Sequence, residues 1–310
     1  MLSKWTEFRD QQRCFFTVQQ YHNMEYQTRD VEWPLAVRRC LTPSRTGDEP
    51  QRTIFLFGDS HSAQSSLPMM AAFDGAASVV WAASAFNCGF LPDPAIEVVT
   101  VQNQDEPDVR RKLCQLFNRE VKRALVDFVQ PCDVVVLQQH GWSVTDDATY
   151  DGKYVFTGDG GNSPNGLRAA VFDNIRTLNR QITAKGATMV LMGDIHTIPR
   201  VGPLCARSAA AASECEISRA DVRTQTAVEH SFYTSLANED PTNRTFYMPL
   251  DHLLCDLTGF GHRPGGECGA FVPGTHTLAF IDTNHLNSAG ALYLWPFICD
   301  FFEKHRLLGE

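Results

Sequence analysis

The 310-residue sequence contains no long hydrophobic run. Its apolar stretches are short and interrupted, for example by Pro296 and Asp300 near the C-terminal end. Because a helix that spans a bilayer needs about 20 predominantly apolar residues, no segment is predicted to cross a membrane. Residues 1–10 are charged and aromatic and lack the apolar core of a signal peptide. We therefore expect either a cytosolic protein or a part of a longer protein that carries its own targeting segment.

Positive charge is also scarce. The chain has 27 lysines and arginines against 36 aspartates and glutamates, and its formal net charge is −9. A protein that binds nucleic acid presents clustered basic residues to the phosphates, and this sequence has no such cluster. Nucleic acid is therefore not an expected partner. The 43% of hydrophobic residues suffice for one large α/β domain with a substantial core.

The ten cysteines include no pair with the two-residue spacing that is typical of structural zinc sites. We therefore expect no metal and no other cofactor. Pairing between neighbours along the chain is natural, although spacing does not fix connectivity. The local pairs are Cys14 with Cys40, Cys88 with Cys114, Cys205 with Cys215, and Cys255 with Cys268. Cys132 and Cys299 would remain, either bonded to each other or as buried thiols.

Two cellular compartments are compatible with these cysteines. Cys205, Cys215, Cys255 and Cys268 lie in predicted loops among glycines and prolines, which favours disulfides and an oxidising, extracytoplasmic compartment. The alternative is a set of ten reduced, mostly buried thiols in a cytosolic protein.

A candidate nucleophile follows the first strongly apolar run, which covers residues 52–57. That run is too short for a helix and lacks polar alternation, so it predicts a strand buried on both faces. Ser60 follows it, just before a predicted helix that begins near Ser62. A residue at such a junction lies at the carboxyl edge of an α/β sheet, where backbone N–H groups can face an oxyanion. The alternative is that Asp59 and Ser60 only cap the helix.

A carboxylate and a histidine stand close together near the far end of the chain. Asp282 precedes His285 by three residues, in a predicted loop between a short apolar stretch and a last helix that Asn287 or Ser288 would cap. In such a loop the carboxylate can fold back onto the imidazole and hold one tautomer. With Ser60, these residues supply a nucleophile, a base and an orienting acid for acyl transfer.

The chain resembles an SGNH hydrolase domain of the kind attached to membrane acyltransferase-3 proteins that O-acylate glycans. The matching residues are Gly58-Asp59-Ser60-His61-Ser62 and Asp282-Thr283-Asn284-His285-Leu286 followed by Gly290, with weaker matches at Asn87-Cys88-Gly89, at Asp133-Val134-Val135-Val136-Leu137 with Trp142, and at Cys255 and Cys268. The resemblance covers roughly residues 50 to 310. It implies Ser60 as nucleophile, His285 as general base and Asp282 as orienting acid.

Further expectations follow from this resemblance. It implies the disulfides Cys88–Cys114 and Cys255–Cys268, a glycan substrate, and a membrane acyltransferase that supplies the acyl group. We expect a monomer.

One departure concerns the oxyanion hole. Members of the superfamily usually carry a Gly-x-Asn-Asp block after the third strand, whose asparagine donates to the oxyanion. Here the strand is followed by Gln139 and His140, with no such asparagine. We expect the N–H groups of Ser60 and Gly89 to act as donors, with Gln139 or His140 in place of the asparagine.

The rest of the chain alternates strand-like and helix-like segments. This alternation predicts βαβ units, hence a three-layer α/β/α sandwich around a central parallel sheet, the flavodoxin-like fold of SGNH hydrolases. The catalytic domain is predicted to cover residues 51–310. Residues 1–50 are expected to form an irregular N-terminal arm packed on it. Three long loops, 90–106, 141–165 and 195–218, are expected to surround the active edge, and the second is a candidate lid.

Several polar residues suggest binding roles. Asp59 and His61 beside the nucleophile, and Trp142 in a polar loop, are candidate substrate-binding residues, and the indole would stack on a sugar ring. Two other functions remain open: a degenerate SGNH domain that binds glycans without turnover, and a metal-dependent phosphoesterase. The latter would use the Asp-x-His patterns at 59–61 and 194–196, but its remaining ligands are missing from the usual positions.

Overall fold

The structure, a computed structural model, describes residues 14–16, 29–43, 52–73, 79–85, 88, 96–98, 107–140, 154–156, 164–255 and 267–308. Its centre is a parallel sheet of six strands. These are β1 (Phe15–Phe16), β2 (Thr53–Gly58), β3 (Val79–Ala85), β5 (Val134–Gln138), β7 (Thr188–Met192) and β8 (Thr245–Met248), in the order β1-β3-β2-β5-β7-β8. Without the two-residue β1, this is the 2-1-3-4-5 order of flavodoxin-like folds.

Nine helices are described. They are α1 (Arg29–Cys40), α2 (Ser60–Ala72), α3 (Pro107–Phe128), α4 (Pro164–Ala184), α5 (Gly202–Cys205), α6 (Ala209–Ser213), α7 (Arg219–Glu239), α8 (Ser288–Tyr293) and α9 (Trp295–Lys304). Among the described segments, no helix has the length and apolar character to cross a membrane.

Alternate side chains of the buried strands enter two separate cores. In β2, Phe55 and Phe57 pack with α1, α3, α4 and α7, whereas Ile54 and Leu56 pack with α2, α8 and α9. All six residues of β2 are buried, as expected for a strand covered on both faces. The predicted three-layer α/β/α fold is therefore confirmed.

The N-terminal segment packs on this body more regularly than the sequence suggested. Residues 29–40 form helix α1, whose Trp33 and Val37 are fully buried in one core. Arg38 pairs with Asp127 of α3 at 2.6 Å. The prediction of an irregular conformation is therefore wrong for residues 29–40. Pro34 disfavours a helix locally, but tertiary packing stabilises the helix around it.

All three of the long loops contain short elements of secondary structure. Strand β4 (Ile96–Val98) pairs antiparallel with β6 (Tyr154–Phe156), which joins the segments after β3 and β5. The third loop contains α5 and α6. The candidate lid around residues 158–162 lies outside the described residues.

The four local cysteine pairs are disulfide-bonded in the structure. They are Cys14–Cys40, Cys88–Cys114, Cys205–Cys215 and Cys255–Cys268. Both expectations for the remaining two cysteines are wrong. Cys132 is an exposed thiol in a turn, and Cys299 is a half-buried thiol on α9, so they are neither bonded to each other nor both buried.

Gly58 is the point where β2 meets its neighbour most closely. Its φ of +149° is unfavourable for other residues, and a Cβ there would lie 1.7 Å from the carbonyl oxygen of Gln138 in β5. No side chain fits at that distance. The turn that follows β2 therefore depends on glycine.

We expect Gly58→Ala to lower the free energy of unfolding by more than about 4 kcal/mol, or to prevent folding. The matched control is Gly186→Ala, which also has a positive φ (+80°) but whose Cβ would lie 3.4 Å from Pro131. Its expected cost is about 1–2 kcal/mol. Urea unfolding followed by circular dichroism compares the two, and equal losses would contradict the close approach at Gly58.

Thiol titration tests the cysteine assignment. In the native protein, Ellman's reagent should react quickly with Cys132 and slowly with Cys299, because burial raises the pKa of the Cys299 thiol. Cys132→Ser should remove the fast phase. In denaturant without reductant, more than two reactive thiols per chain would contradict the four disulfides.

Candidate active site

Ser60 occupies the first position of α2, directly after the end of β2. In the sheet order, β2 is the strand at which the chain's progression reverses direction. Ligands in open α/β sheets bind at the carboxyl ends of the strands at such a switch point. The first N–H groups of a helix have no acceptor within the helix, so the N–H of Ser60 at the start of α2 can face an anionic group.

Asp59 fixes the backbone on both sides of this junction. Its Oδ1 accepts the N–H of His61 at 2.9 Å, which caps α2, and its Oδ2 accepts the N–H of His140 at 2.9 Å. The side chain is 1% exposed. Asp59 therefore joins the β2–α2 turn to the end of β5. Both carboxylate oxygens are buried and accept backbone N–H groups, and the expected contact of Asp59 with substrate stays a prediction.

A tight loop carries Asp282 and His285. It is closed by the N–H of Ile281, which donates to the carbonyl of His285 at 2.8 Å. The next residue, Leu286, donates its N–H to Gln64 Oε1 of α2 at 2.7 Å. Because Gln64 lies one helical turn beyond Ser60, this bond places the loop beside the serine.

The side chains of Ser60, His285 and Asp282 form one hydrogen-bonded line. His285 Nε2 lies 2.7 Å from Ser60 Oγ, and His285 Nδ1 lies 2.7 Å from Asp282 Oδ2. Asp282 Oδ1 also accepts the N–H groups of Asn284 and His285. The structure thus brings together the three residues that the sequence marked as nucleophile, base and acid. Nucleophile and base within hydrogen-bond reach, with the base oriented by a third group, is the arrangement that covalent catalysis requires.

Exposure increases along this line. Ser60 is 8% exposed, whereas the side chains of His285 and Asp282 are 22% and 44% exposed. Partial burial by itself raises the pKa of Asp282, but the N–H groups of Asn284 and His285 and the His285 ring outweigh it and lower the pKa. Asp282 is therefore ionised at neutral pH. The stability that these bonds confer is present above the ordinary pKa of an aspartate and is lost as the pH falls through the lowered one.

A second histidine–carboxylate pair lies beneath the line. His61 is fully buried, and its Nδ1 lies 2.6 Å from Asp194 Oδ1. The ring centroid of His61 is 4.7 Å from that of His285 and 4.5 Å from that of His140. Burial alone lowers the pKa of His61, but the Asp194 carboxylate outweighs it, so the pKa is raised. His61 thus packs against the His285 ring, and its expected role in substrate binding stays a prediction.

Asp194 is itself held by two further hydrogen bonds. Its Oδ1 accepts the N–H of Ile195 at 2.8 Å, and its own N–H donates to Glu229 Oε2 of α7 at 2.9 Å. Glu229 is 1% exposed, and burial, together with the Asp194 charge, raises its pKa well above the ordinary value. Sequence reasoning missed Glu229 and Gln64, because single polar residues within helical patterns carry no local signal.

The residues expected to form the oxyanion hole differ in burial. Gln139 is fully buried directly after β5, and its expected role as an oxyanion donor stays a prediction. His140 is 8% exposed, and burial lowers its pKa to about 3, so its ring is neutral at neutral pH and remains a candidate donor. Gly89 and Trp142 lie outside the described residues.

Within the described part of the chain, one group of side chains has the proximity of metal ligands. The ligand atoms of His61, His140 and Asp194 lie within 4.8 Å of one another. Each of the two Asp-x-His patterns contributes one residue to this group, His61 and Asp194, whereas its other residue has a different partner among the described residues. Asp59 is occupied by backbone N–H groups, and His196 Nε2 contacts the carbonyl of Gly269 at 3.3 Å.

A family profile described as "SGNH domain (fused to AT3 domains)" matches residues 24–298. The chain belongs to this family. The resemblance noted in the sequence is thereby confirmed, and the SGNH match includes helix α1. No curated protein matches the chain.

Two solved structures are similar to this chain at low sequence identity. The periplasmic domain of a lipopolysaccharide acetyltransferase from Salmonella ser. Paratyphi A is 13% identical, with a TM-score of 0.48, and the match covers 91% of this chain and 99% of that one. A putative acylhydrolase from Bacteroides fragilis is 12% identical, with a TM-score of 0.41, over 87% of this chain and 95% of that one. At these identities and scores, the assignment of this SGNH domain depends on the family profile.

Asp282→Asn tests the orienting role of the carboxylate. The amide keeps one acceptor but removes the charge that stabilises a protonated His285, so we expect kcat to fall about a hundred- to ten-thousand-fold in ester hydrolysis. Asp251→Asn, a half-buried aspartate that accepts from Thr226, is the matched control and should retain activity. Equal activity of Asp282→Asn and wild type would contradict the role.

Proposed function

We propose that this SGNH domain is a serine esterase or O-acyltransferase that processes acyl esters of glycans, with acetyl as the expected acyl group. The observation that supports it most directly is the line from Ser60 Oγ through the His285 ring to Asp282, with both hydrogen bonds at 2.7 Å. Family membership gives the acyl-ester chemistry, and the glycan is inferred from the acyltransferase-3 branch to which the profile belongs.

In the first step, Ser60 Oγ attacks the acyl carbonyl carbon while His285 Nε2 takes the hydroxyl proton. The negative charge on the carbonyl oxygen is held by the N–H of Ser60 at the start of α2, with His140 and the N–H of Gly89 as further candidate donors. The tetrahedral intermediate collapses, His285 returns the proton to the leaving oxygen, and the acyl group stays on Ser60. Asp282 stabilises the imidazolium throughout.

In the second step, an acceptor hydroxyl repeats the sequence in reverse. His285 takes the acceptor proton, the acceptor oxygen attacks the acyl-serine, and Ser60 is released with its proton restored. Water as acceptor makes the chain an esterase, whereas a sugar hydroxyl makes it an O-acyltransferase. In the second case, a membrane acyltransferase would deliver the acyl group.

The setting that we propose is extracytoplasmic, in a secretory lumen, a periplasm or outside the cell. Four disulfides persist in oxidising compartments and are rare in the cytosol. We also propose that the domain acts as a monomer.

Ser60→Ala should abolish the release of p-nitrophenol from p-nitrophenyl acetate, because it removes the nucleophile and leaves only the surrounding polar groups. Ser66→Ala is the matched control: Ser66 lies on the same helix, and its hydroxyl donates to the carbonyl of Ala63 rather than to a residue of the line from Ser60 to Asp282. Wild type and Ser66→Ala should be active with and without EDTA. An acyl group on Ser60, detected by mass spectrometry after a rapid quench, should accompany turnover.

Three results would redirect the assignment. Activity retained by Ser60→Ala would contradict the serine mechanism. Activity lost with EDTA would support the metal-dependent alternative. A protein that binds acetylated oligosaccharides but gives no turnover and no acyl-enzyme, with or without sugar acceptors, would be a glycan-binding module.

A further inference from the structure

The His285 ring is held asymmetrically. On one side it bonds to Asp282, whose side chain is 44% exposed to solvent. On the other side lies the fully buried ring of His61, with a centroid distance of 4.7 Å and an interplanar angle of 45°. The imidazole of His285 must keep one orientation to transfer a proton. We expect its packing against the buried His61 ring to restrict that orientation more than its bond to the solvent-exposed Asp282 does.

His61 is suited to this task because it is immobilised itself. Its backbone N–H donates to Asp59, and its Nδ1 lies 2.6 Å from Asp194 Oδ1. Asp194 is fastened in turn by Ile195 and Glu229. The other ring nitrogen, Nε2, has no hydrogen-bond partner among the described residues. Nδ1 also lies 3.3 Å from Gln64 Nε2, so the shorter contact with Asp194 is the one that we expect to fix the ring most firmly.

We propose, on the basis of the proposed serine mechanism, that His61 and Asp194 form a buried positioning pair that holds the His285 ring in its reactive orientation. The pair takes no proton from Ser60.

Two variants distinguish the contribution of the His61 ring from that of its bond to Asp194. His61→Phe keeps an aromatic face beside His285 but loses the link to Asp194. Asp194→Asn keeps an oxygen that can accept from Ile195 and from His61 but loses the charge. We expect kcat for p-nitrophenyl acetate to fall about ten- to a hundredfold in each, with KM unchanged, because only the orientation of the base is altered. The double variant should be no slower than the slower single one, since the two residues act as a unit.

His196→Phe is the matched control for replacing a buried histidine. His196 is 1% exposed, its Nε2 contacts Gly269, and its ring packs on Phe280 rather than on His285. It is expected to lower thermal stability without changing kcat. Thermal unfolding of all four variants shows whether each retains the fold.

A second measurement is independent of turnover. With ¹⁵N-labelled histidine, the His285 ring signals should be sharp in wild type and broadened in His61→Phe, but unchanged in His196→Phe. This readout distinguishes the two ideas: if wild type hydrolyses no ester, the proposed function fails, while the ring signals still test the positioning pair. Unchanged ring signals, additive losses in the double variant, or a loss that EDTA reproduces in wild type would each overturn the proposal.

Discussion

The site depends on the close approach of β2 to β5 at their carboxyl ends. At Gly58 the two backbones leave no room for a Cβ, and one residue later Asp59 bonds to the backbone of both α2 and the segment after β5. The first contact sets the direction of the turn, and the second fixes where the helix begins. The position of Ser60 follows from these two constraints, because it stands between a strand end and a helix start that cannot move independently.

The position of the base depends on the same helix. Gln64, one turn after Ser60, accepts the N–H of Leu286, so the loop that carries His285 is attached to the element that carries the nucleophile. The distance between Ser60 and His285 is thus controlled by one rigid helical turn and one hydrogen bond. Ser60 and His285 are more than two hundred residues apart in sequence, but the bond from Leu286 to Gln64 places them next to each other at the start of α2.

The sequence predicted the fold and the three hydrogen-bonded residues because both leave local signals. Buried strands such as β5 and β7 consist mostly of apolar residues in one run. Ser60 follows such a strand, and Asp282 and His285 stand three residues apart just before a helix, which is the pattern that pointed to their roles. The complete burial of Asp59 and Gln139, and the backbone partners of Asp59, were not predicted, because burial and bonding partners are tertiary properties. Helix α1 was missed for the same reason: its stability comes from Trp33 and Val37 in the core, against the local effect of Pro34. The link from Asp194 to Glu229 joins elements that the sequence places far apart.

The loop that carries Asp282 and His285 has a solvent-exposed side chain on a firmly held backbone. The carbonyls of Asp282 and Thr283 accept the N–H groups of Gly202 and Ile198, so the backbone is fixed by the segment before α5. Gly202 is required there, because a Cβ would lie 2.2 Å from the carbonyl oxygen of Phe280. With the backbone held in this way, the side chain of Asp282 can remain hydrated and ionised without loosening the loop. Backbone anchoring places His285, Asp282 sets its tautomer, and the buried face determines how firmly the ring is held.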